Sequence, residues 1–201
     1  NNHYAYLSGA RAVPLEVKRE HGFHPTPDQI AAVLPGARLI ALCSPSNPTG
    51  TAIKPEPLAA ICRLIVLENE RRAGTNARPV FLMFDQVYWA TAFDVARPAM
   101  PTALVPEVAP WTVLIDAISK SLAATGLRVG WAVAHPAVTA RLSDFLGHVG
   151  AWAPKPEQVA TAEFLADGAA FAAHRAAMER KLRERLDALH RGFTGLRERG
   201  G

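Results

Sequence analysis

Short apolar runs alternate with polar segments that are rich in proline and glycine along this chain. Four of the runs have the length of a β-strand and contain mostly aliphatic and aromatic residues. They lie at 38–43, 80–84, 111–115 and 129–134. An unbroken apolar run predicts a strand that is covered on both faces of a sheet. The segment 10–17, which follows a Ser-Gly turn signal, is predicted to be a further strand.

Helical signals occupy the segments between and after these strands. The clearest lies at 56–72, where apolar side chains recur on one stripe and the charged ones are predicted to face solvent. Those charged positions are Glu68, Glu70, Arg71 and Arg72. Thr26 as N-cap and Pro27 at the first helical position predict a short helix that ends before Pro35-Gly36. Further helices are predicted at 136–145, 156–165 and 169–191, with a loop at 147–154.

The order of strands and helices determines the expected fold class. Strand–helix–strand alternation predicts an α/β fold with a mostly parallel sheet and helices on both faces. In such sheets, ligands bind beyond the carboxyl ends of the strands. Asn47, Asp85 and Lys120 each come just after a predicted strand. We therefore expect these three side chains to converge on one crevice.

Three motifs stand at these strand ends. Ser46-Asn47-Pro48-Thr49-Gly50 comes first, then Phe84-Asp85-Gln86-Val87-Tyr88, and then Ser119-Lys120 with Arg128 eight residues after the lysine. This ordered set resembles the signature of the class I/II aminotransferases, which are aspartate aminotransferase-like enzymes of fold type I. The resemblance covers nearly all of the 201 residues. It implies pyridoxal 5'-phosphate (PLP) as the cofactor.

The resemblance assigns a role to each matching residue. It implies that Lys120 forms the Schiff base with PLP and later moves a proton between the substrate Cα and the cofactor, for which the amine must be neutral. It implies that Asp85 lies against the pyridine nitrogen, where a carboxylate favours the protonated ring. Asn47 and Tyr88 are expected to bond the cofactor's 3' oxygen. Arg128 is expected to hold the phosphate, an anion that suits the guanidinium fork.

One position departs from the family's pattern. The family commonly has a phosphate-binding serine three residues before the lysine, and this chain has Ala117 there. The missing hydroxyl weakens the expected hold on the phosphate and leaves the other matches in place. The histidines His21, His24 and His135 are scattered and make no metal-ligand spacing, so no metal site is expected.

The function implied by the resemblance is a ping-pong transamination. An amino acid gives its amino group to PLP, and a 2-oxo acid then takes that group. A PLP-dependent lyase or decarboxylase on the same fold stays open, because the cofactor motifs do not fix which Cα bond breaks. A non-catalytic, aminotransferase-like regulatory domain also stays open. The family further implies a homodimer in the full-length protein.

The chain is expected to be the central part of a longer protein. It begins at Asn1 without an initiator methionine, and the resemblance implies that an N-terminal segment and a small C-terminal domain are missing. We expect residues 1–167 to form a partial PLP-binding large domain. Residues 168–201 are expected to form a linking helix and the start of an incomplete small domain.

Composition and charge narrow the class of protein further. The chain is 49% hydrophobic and 20% charged with a formal net charge of +4, which is typical of globular proteins. Its densest basic cluster, at 175–199, alternates with acidic residues and so predicts a solvated helix face rather than a nucleic-acid surface. Two cysteines without CxxC spacing favour a reducing compartment, and we expect the cytoplasm. No apolar run has the length of a membrane span, so no membrane partner is expected.

Overall fold

A computed structural model describes residues 8–92 and 98–198 of the chain. Four strands form one sheet in the order β1-β2-β3-β4. They are β1 (Leu39–Cys43), β2 (Phe81–Asp85), β3 (Thr112–Ala117) and β4 (Gly130–Val133). The first three strands are parallel, and β4 runs antiparallel to β3. The predicted α/β class with a mostly parallel sheet is therefore confirmed.

Seven α-helices connect and follow these strands in the described part of the chain. They are α1 (Pro27–Val33), α2 (Pro55–Arg72), α3 (Pro101–Leu104), α4 (Ile118–Ser121), α5 (Pro136–Val149), α6 (Lys155–Ala166) and α7 (Gly168–Glu198). None of the described helices is both long and apolar enough to cross a membrane.

The first helix begins as the sequence predicts. The Thr26 hydroxyl accepts a hydrogen bond from the backbone N–H of Gln29 at 3.3 Å, and the Gln29 side chain accepts one from the backbone N–H of Thr26 at 2.9 Å. This reciprocal capping box satisfies two backbone donors that a helix start otherwise leaves without partners. Pro27 occupies the first helical position, where a missing N–H costs nothing.

The hydrophobic core lies between the sheet and the helices α1 and α2. Helix α2 buries the predicted apolar stripe, which includes Leu58, Ile61 and Ile65. In β1, burial alternates along the strand, and Leu39 is 52% exposed. The prediction that both faces of this strand are covered is therefore wrong for the described residues. Successive side chains of a strand point to opposite faces, and α1 and α2 cover only one of them.

Arg72 corrects the prediction that the charged residues of α2 face solvent. It is only 5% exposed. Its guanidinium donates hydrogen bonds to the Glu68 carboxylate and to four backbone carbonyls. Those carbonyls belong to Leu34, Pro35, Ala37 and Arg78, at 2.7, 3.2, 3.1 and 2.6 Å. The buried cation satisfies carbonyls of the turn before β1 and of the loop before β2, so it joins both strands to α2.

Two further expectations about local structure are wrong. Residues 10–17 are mostly exposed and form no strand, since none of the described strands pairs with them. Helix α5 continues to Val149, so the predicted loop at 147–154 begins only at Gly150. Gly150 has a φ of +64°, a left-handed conformation that ends helices, and its N–H donates to the carbonyl of Leu146. Gly147 is helical instead.

Candidate functional site

The carboxyl ends of the three parallel strands meet at one edge of the sheet. Cys43 at the end of β1 is the Cα partner of Asp85 at the end of β2, and Asp85 is the Cα partner of Ile115 in β3. Beyond the paired residues, the N–H of Ser44 donates to the Asp85 carbonyl at 2.9 Å, and the N–H of Gln86 donates to the Ile115 carbonyl at 3.0 Å. The segments that follow the strands therefore start side by side.

Asn47 and Tyr88 come together directly at this edge. The side-chain amide of Asn47 donates a hydrogen bond to the phenolic oxygen of Tyr88 at 3.1 Å. Tyr88 is half-buried and Asn47 is exposed. Two of the predicted site residues, on different loops, thus present polar groups at one place.

The loop that carries Asn47 is anchored by hydrogen bonds at its base. The buried Ser44 hydroxyl accepts from the backbone N–H of Ile53 at 2.9 Å. The Thr51 carbonyl accepts from the N–H of Ser46 at 2.9 Å. These bonds hold both ends of the loop against each other, so that Asn47 lies on a closed turn.

His24 fastens the same loop to the segment that precedes α1. Its Nε2 lies 3.1 Å from the Thr51 carbonyl, and the Thr51 hydroxyl donates to the Gly22 carbonyl at 2.6 Å. Burial lowers the pKa of His24, and the hydrogen bond with the Thr51 backbone opposes that change. The neutral ring, with Nε2 as the donor to the carbonyl, therefore fits this position.

Lys120 lies on the short helix α4, which follows β3 directly. Its Nζ is 5.8 Å from the centroid of the Tyr88 ring, within the range of a cation–π contact. The Ser121 hydroxyl donates to the Ala117 carbonyl at 3.0 Å and closes the turn that carries the lysine. Asn47, Tyr88 and Lys120 are therefore brought together by three different segments of the chain.

Asp85 occupies the last position of β2, as predicted. Its Oδ1 accepts a hydrogen bond from the N–H of Val87 at 3.0 Å, which shapes the turn that leads to Tyr88. Its negative charge also acts on Cys43, at the end of the neighbouring strand β1. Burial first and the Asp85 charge second raise the pKa of the neighbouring Cys43 thiol.

Arg128 lies in the connection between α4 and β4. It has a φ of +57°, and its guanidinium donates to the Thr125 carbonyl at 2.9 Å. The Thr125 hydroxyl in turn donates to the Ser119 carbonyl at 3.0 Å, so the connection is tied back to the residue before Lys120. Among the described hydrogen bonds, none joins Arg128 to the other four predicted site residues, and its side chain is exposed.

Asp116 is a residue of this region that the sequence analysis missed. Its carboxylate is buried, with 6% of the residue exposed. Oδ2 accepts from the indole N–H of Trp89 at 2.9 Å and from the Gln86 side chain at 3.4 Å, and Oδ1 accepts from the N–H of Ala117 at 2.7 Å. A signal was available, because Asp116 is the one charged residue between positions 111 and 119 and stands at a strand end.

Trp89 links the same place to the long helix α7. Its ring centroid lies 6.3 Å from that of Phe171, and the Arg175 guanidinium lies 5.3 Å from its centroid. Both partners belong to α7. The indole is therefore held by a carboxylate on one side and by α7 on the other.

In the described part of the chain, no group of three or more His, Cys, Asp or Glu side chains is placed to hold a metal ion.

The comparison with protein families agrees with this arrangement of motifs on strand ends. The family model described as aminotransferase class I and II matches residues 1–199. This chain belongs to the class I/II aminotransferase family.

Two curated aminotransferases illustrate the relationship. The chain is 34% identical over 137 residues to arginine–pyruvate transaminase of Pseudomonas aeruginosa, a match that covers 68% of this chain and 32% of the relative. It is 31% identical over 193 residues to a probable N-succinyldiaminopimelate aminotransferase of Mycobacterium tuberculosis, with 94% and 44% covered. The matched part of the chain thus covers less than half of the length of either aminotransferase.

Solved aminotransferase structures share the fold. Aspartate aminotransferase of Thermus thermophilus with maleate matches with a TM-score of 0.84 at 24% identity, over 97% of this chain and 48% of that one. N-succinyldiaminopimelate aminotransferase of Mycobacterium tuberculosis matches with a TM-score of 0.80 at 28% identity, over 95% and 47%. The likeness extends over nearly the whole of the present chain.

Members of the class I/II aminotransferase family use PLP. The donor set at the strand edge fits that molecule. An amide N–H and a phenol O–H lie 3.1 Å apart beside a lysine amine, with a carboxylate at the end of the adjacent strand. PLP offers a matching group for each of them. Its phenolic oxygen can accept from the amide and the phenol, and its aldehyde can react with the lysine amine. Its ring nitrogen suits the carboxylate, and its phosphate suits the Arg128 guanidinium.

Proposed function

We propose that the protein is a PLP-dependent aminotransferase that moves an amino group between an amino acid and a 2-oxo acid. The observation that carries this proposal is the meeting of Asn47, Tyr88 and Lys120 at the carboxyl edge of the sheet in a member of this family. Both relatives described above are named for transamination, which supports this reaction over a lyase, a decarboxylase or a non-catalytic role.

Lys120 is proposed to be the catalytic residue. When bound, PLP supplies an aldehyde carbon that bonds to amines and a ring that accepts the electrons of a broken Cα–H bond. The Lys120 amine would bond to the cofactor between turnovers. Once substrate has displaced it, the free amine would take the proton from the substrate Cα and return it on the cofactor side. Both tasks require the neutral amine.

The other four residues are proposed to bind and orient the cofactor. Asn47 and Tyr88 would share the phenolic oxygen of PLP, since their polar groups already lie together. The Asp85 carboxylate would face the ring nitrogen and keep it protonated, because an adjacent negative charge stabilises a cation. Arg128 would hold the phosphate through its paired N–H donors. With Ala117 in place of a serine, this phosphate site depends more on the arginine.

The substrates are proposed at the level of their chemical class. The two relatives are named for different amino donors, arginine and N-succinyldiaminopimelate. What these reactions share is an amino acid that gives up its amino group and a 2-oxo acid that receives it. A ping-pong sequence follows, because one cofactor site serves both half-reactions in turn.

Transfer of label tests the proposed reaction. The protein with PLP is incubated with a set of ¹⁵N-labelled amino acids and a 2-oxo acid, and the products are analysed by mass spectrometry. We expect ¹⁵N in the new amino acid, and no transfer by Lys120→Ala. Release of carbon dioxide or free ammonia in place of transfer would support the decarboxylase or lyase instead. The absence of any reaction with PLP bound would favour the regulatory domain.

We further propose that residues 1–167 form part of the PLP-binding domain and that 168–201 link it to a second domain. The placement of α7 supports this division, since Phe171 and Arg175 near its start contact Trp89, whereas Leu186, Leu189 and Phe193 are exposed. Limited proteolysis checks it. Cuts in the second half of α7 should come first, and early cuts within α2 or the sheet would contradict the division.

A homodimer and a cytoplasmic location complete the proposal. Exposed apolar residues on β4, α5 and the following loop support self-association, among them Val133, Phe145 and Trp152. Both cysteines are free thiols, which suits a reducing compartment. Analytical ultracentrifugation tests the dimer, and a monomer at micromolar concentration would contradict it. Cell fractionation tests the location, and recovery of the protein from an oxidising compartment would contradict it.

A further inference from the structure

The buried carboxylate of Asp116 lies between two segments that carry proposed site residues. Burying a charge is costly unless hydrogen bonds replace the lost water, and Asp116 accepts three such bonds. One comes from its own strand, through the N–H of Ala117. The other two come from Gln86 and Trp89, in the turn after β2. A single side chain therefore joins the end of β3 to the turn of the neighbouring strand.

The two residues of that turn flank Tyr88 on either side in the sequence. Gln86 and Trp89 are both tied to Oδ2 of Asp116, so the backbone between them is fixed at two points. Tyr88 lies within this span. Asp116 itself stands four residues before Lys120, on the strand that leads into α4. The hydrogen bonds of this carboxylate thus join the turn that carries Tyr88 to the strand that leads to Lys120.

The contact of Trp89 with α7 extends this connection. Phe171 and Arg175 pack on the ring whose N–H is bound by Asp116. Both contacts limit the rotation of the ring. The Trp89 side chain is therefore held in place by Asp116 and by α7.

We propose that Asp116 is a positioning residue of the cofactor site, which holds Tyr88 and its Asn47 partner against Lys120 through Gln86 and Trp89. The proposal rests on the proposed function for the identity of the ligand. The geometric part does not, because it follows from hydrogen bonds between residues of the chain itself.

The test uses three variants of the protein. Asp116→Asn has nearly the same shape, but one amide oxygen cannot replace two carboxylate oxygens that accept N–H bonds on both sides. Trp89→Phe removes the indole donor and keeps an aromatic ring against Phe171. Asp167→Asn is the matched control, because Asp167 is likewise a hydrogen-bond acceptor but is exposed, and its two bonds, at 3.1 and 2.9 Å, come from backbone N–H groups at the start of α7.

Two quantities are measured for each variant. The first is the nuclear Overhauser effect between the Asn47 amide protons and the Tyr88 ring, in protein without PLP. The second is the Kd for PLP, followed by its absorption. For Asp116→Asn and Trp89→Phe we expect a weakened Asn47–Tyr88 signal and PLP binding that is about tenfold weaker, the size of effect that follows from losing a hydrogen bond to a charged group. Asp167→Asn should match the parent protein in both.

Each outcome decides between the two proposals. If the parent protein does not bind PLP, the proposed function fails, and the Overhauser signal alone then decides the role of Asp116. If the parent binds PLP and both variants keep the signal and the parent Kd, Asp116 is merely structural and the positioning role is overturned, whatever the change in Tm. If Asp116→Asn does not fold, Trp89→Phe gives the answer, because it leaves the carboxylate and its Ala117 bond in place.

Discussion

Asn47 and Tyr88 lie 41 residues apart in the sequence, and the Asn47 side chain donates a hydrogen bond to the Tyr88 oxygen at 3.1 Å. The bond joins the loop after β1 to the turn after β2. Lys120 approaches the same tyrosine from the helix after β3, with its Nζ 5.8 Å from the ring centroid. The three segments that the parallel sheet places side by side thus meet at one phenol group.

Removal of the Tyr88 hydroxyl should weaken PLP binding without unfolding the protein. Tyr88→Phe keeps the ring beside Lys120 and deletes one of the two proposed donors to the phenolic oxygen of PLP. We expect the Kd for PLP to rise about three- to tenfold, as for the loss of one hydrogen bond. Thr139→Ala serves as the control, since it removes a hydroxyl that donates to the Pro136 carbonyl within α5. An unchanged Kd for Tyr88→Phe, measured by absorption titration, would remove Tyr88 from the site.

Arg72 should contribute far more to stability than its neighbour Arg71. Arg72→Met removes a buried cation together with its hydrogen bonds to four backbone carbonyls and to Glu68, for an expected loss of about 3 kcal/mol in the free energy of unfolding. Arg71→Met is the matched control. It also loses two hydrogen bonds to Glu68, but its side chain is 63% exposed, so we expect a much smaller loss than for Arg72→Met. Urea unfolding of both variants measures the difference, and equal losses would contradict the role of burial.

Glu68 should make the fold sensitive to acid. Hydrogen bonds from Arg71 and then Arg72 lower the pKa of its carboxyl to about 2, from an ordinary value of 4.5. A carboxyl whose pKa falls on folding stabilises the folded state above the unfolded pKa, and that contribution is lost as the pH falls toward the folded pKa.

The measurement is the urea midpoint of the parent protein and of Glu68→Gln from pH 7 to pH 2. The parent should be the more stable above about pH 5, and its advantage should shrink between about pH 4.5 and pH 2. A constant difference over that range would show that the ionised carboxylate of Glu68 contributes nothing.

The sequence was sufficient for the strands, the main helices and the residues at the strand ends. Apolar runs of strand length placed β1 to β4 within a few residues, but the expected burial is wrong for β1, which is covered on one face, and for β4, whose four residues are exposed. Asn47, Asp85 and Lys120 could be located at one edge because parallel strands end on the same side of a sheet. That inference depends on chain order and not on the details of packing.

What escaped prediction depends on contacts between distant segments. Arg72 ends a helix among charged neighbours, and its burial becomes favourable when it donates to carbonyls of Leu34 to Ala37, which lie 35 to 38 residues earlier in the chain. Asp116 depends in the same way on Trp89, 27 residues before it. The segment 10–17 has the composition of a strand, but a strand forms only beside a partner, and the described sheet offers it none.

The identity of the lysine that bonds PLP is the most direct test of the account. The protein is incubated with PLP and treated with borohydride, which converts a carbon–nitrogen double bond at a lysine into a stable amine, and the digest is mapped by mass spectrometry. We expect the cofactor on Lys120, with none retained by Lys120→Arg. Labelling spread over exposed lysines such as Lys54 and Lys155, with Lys120 unmodified, would contradict the assignment of the site.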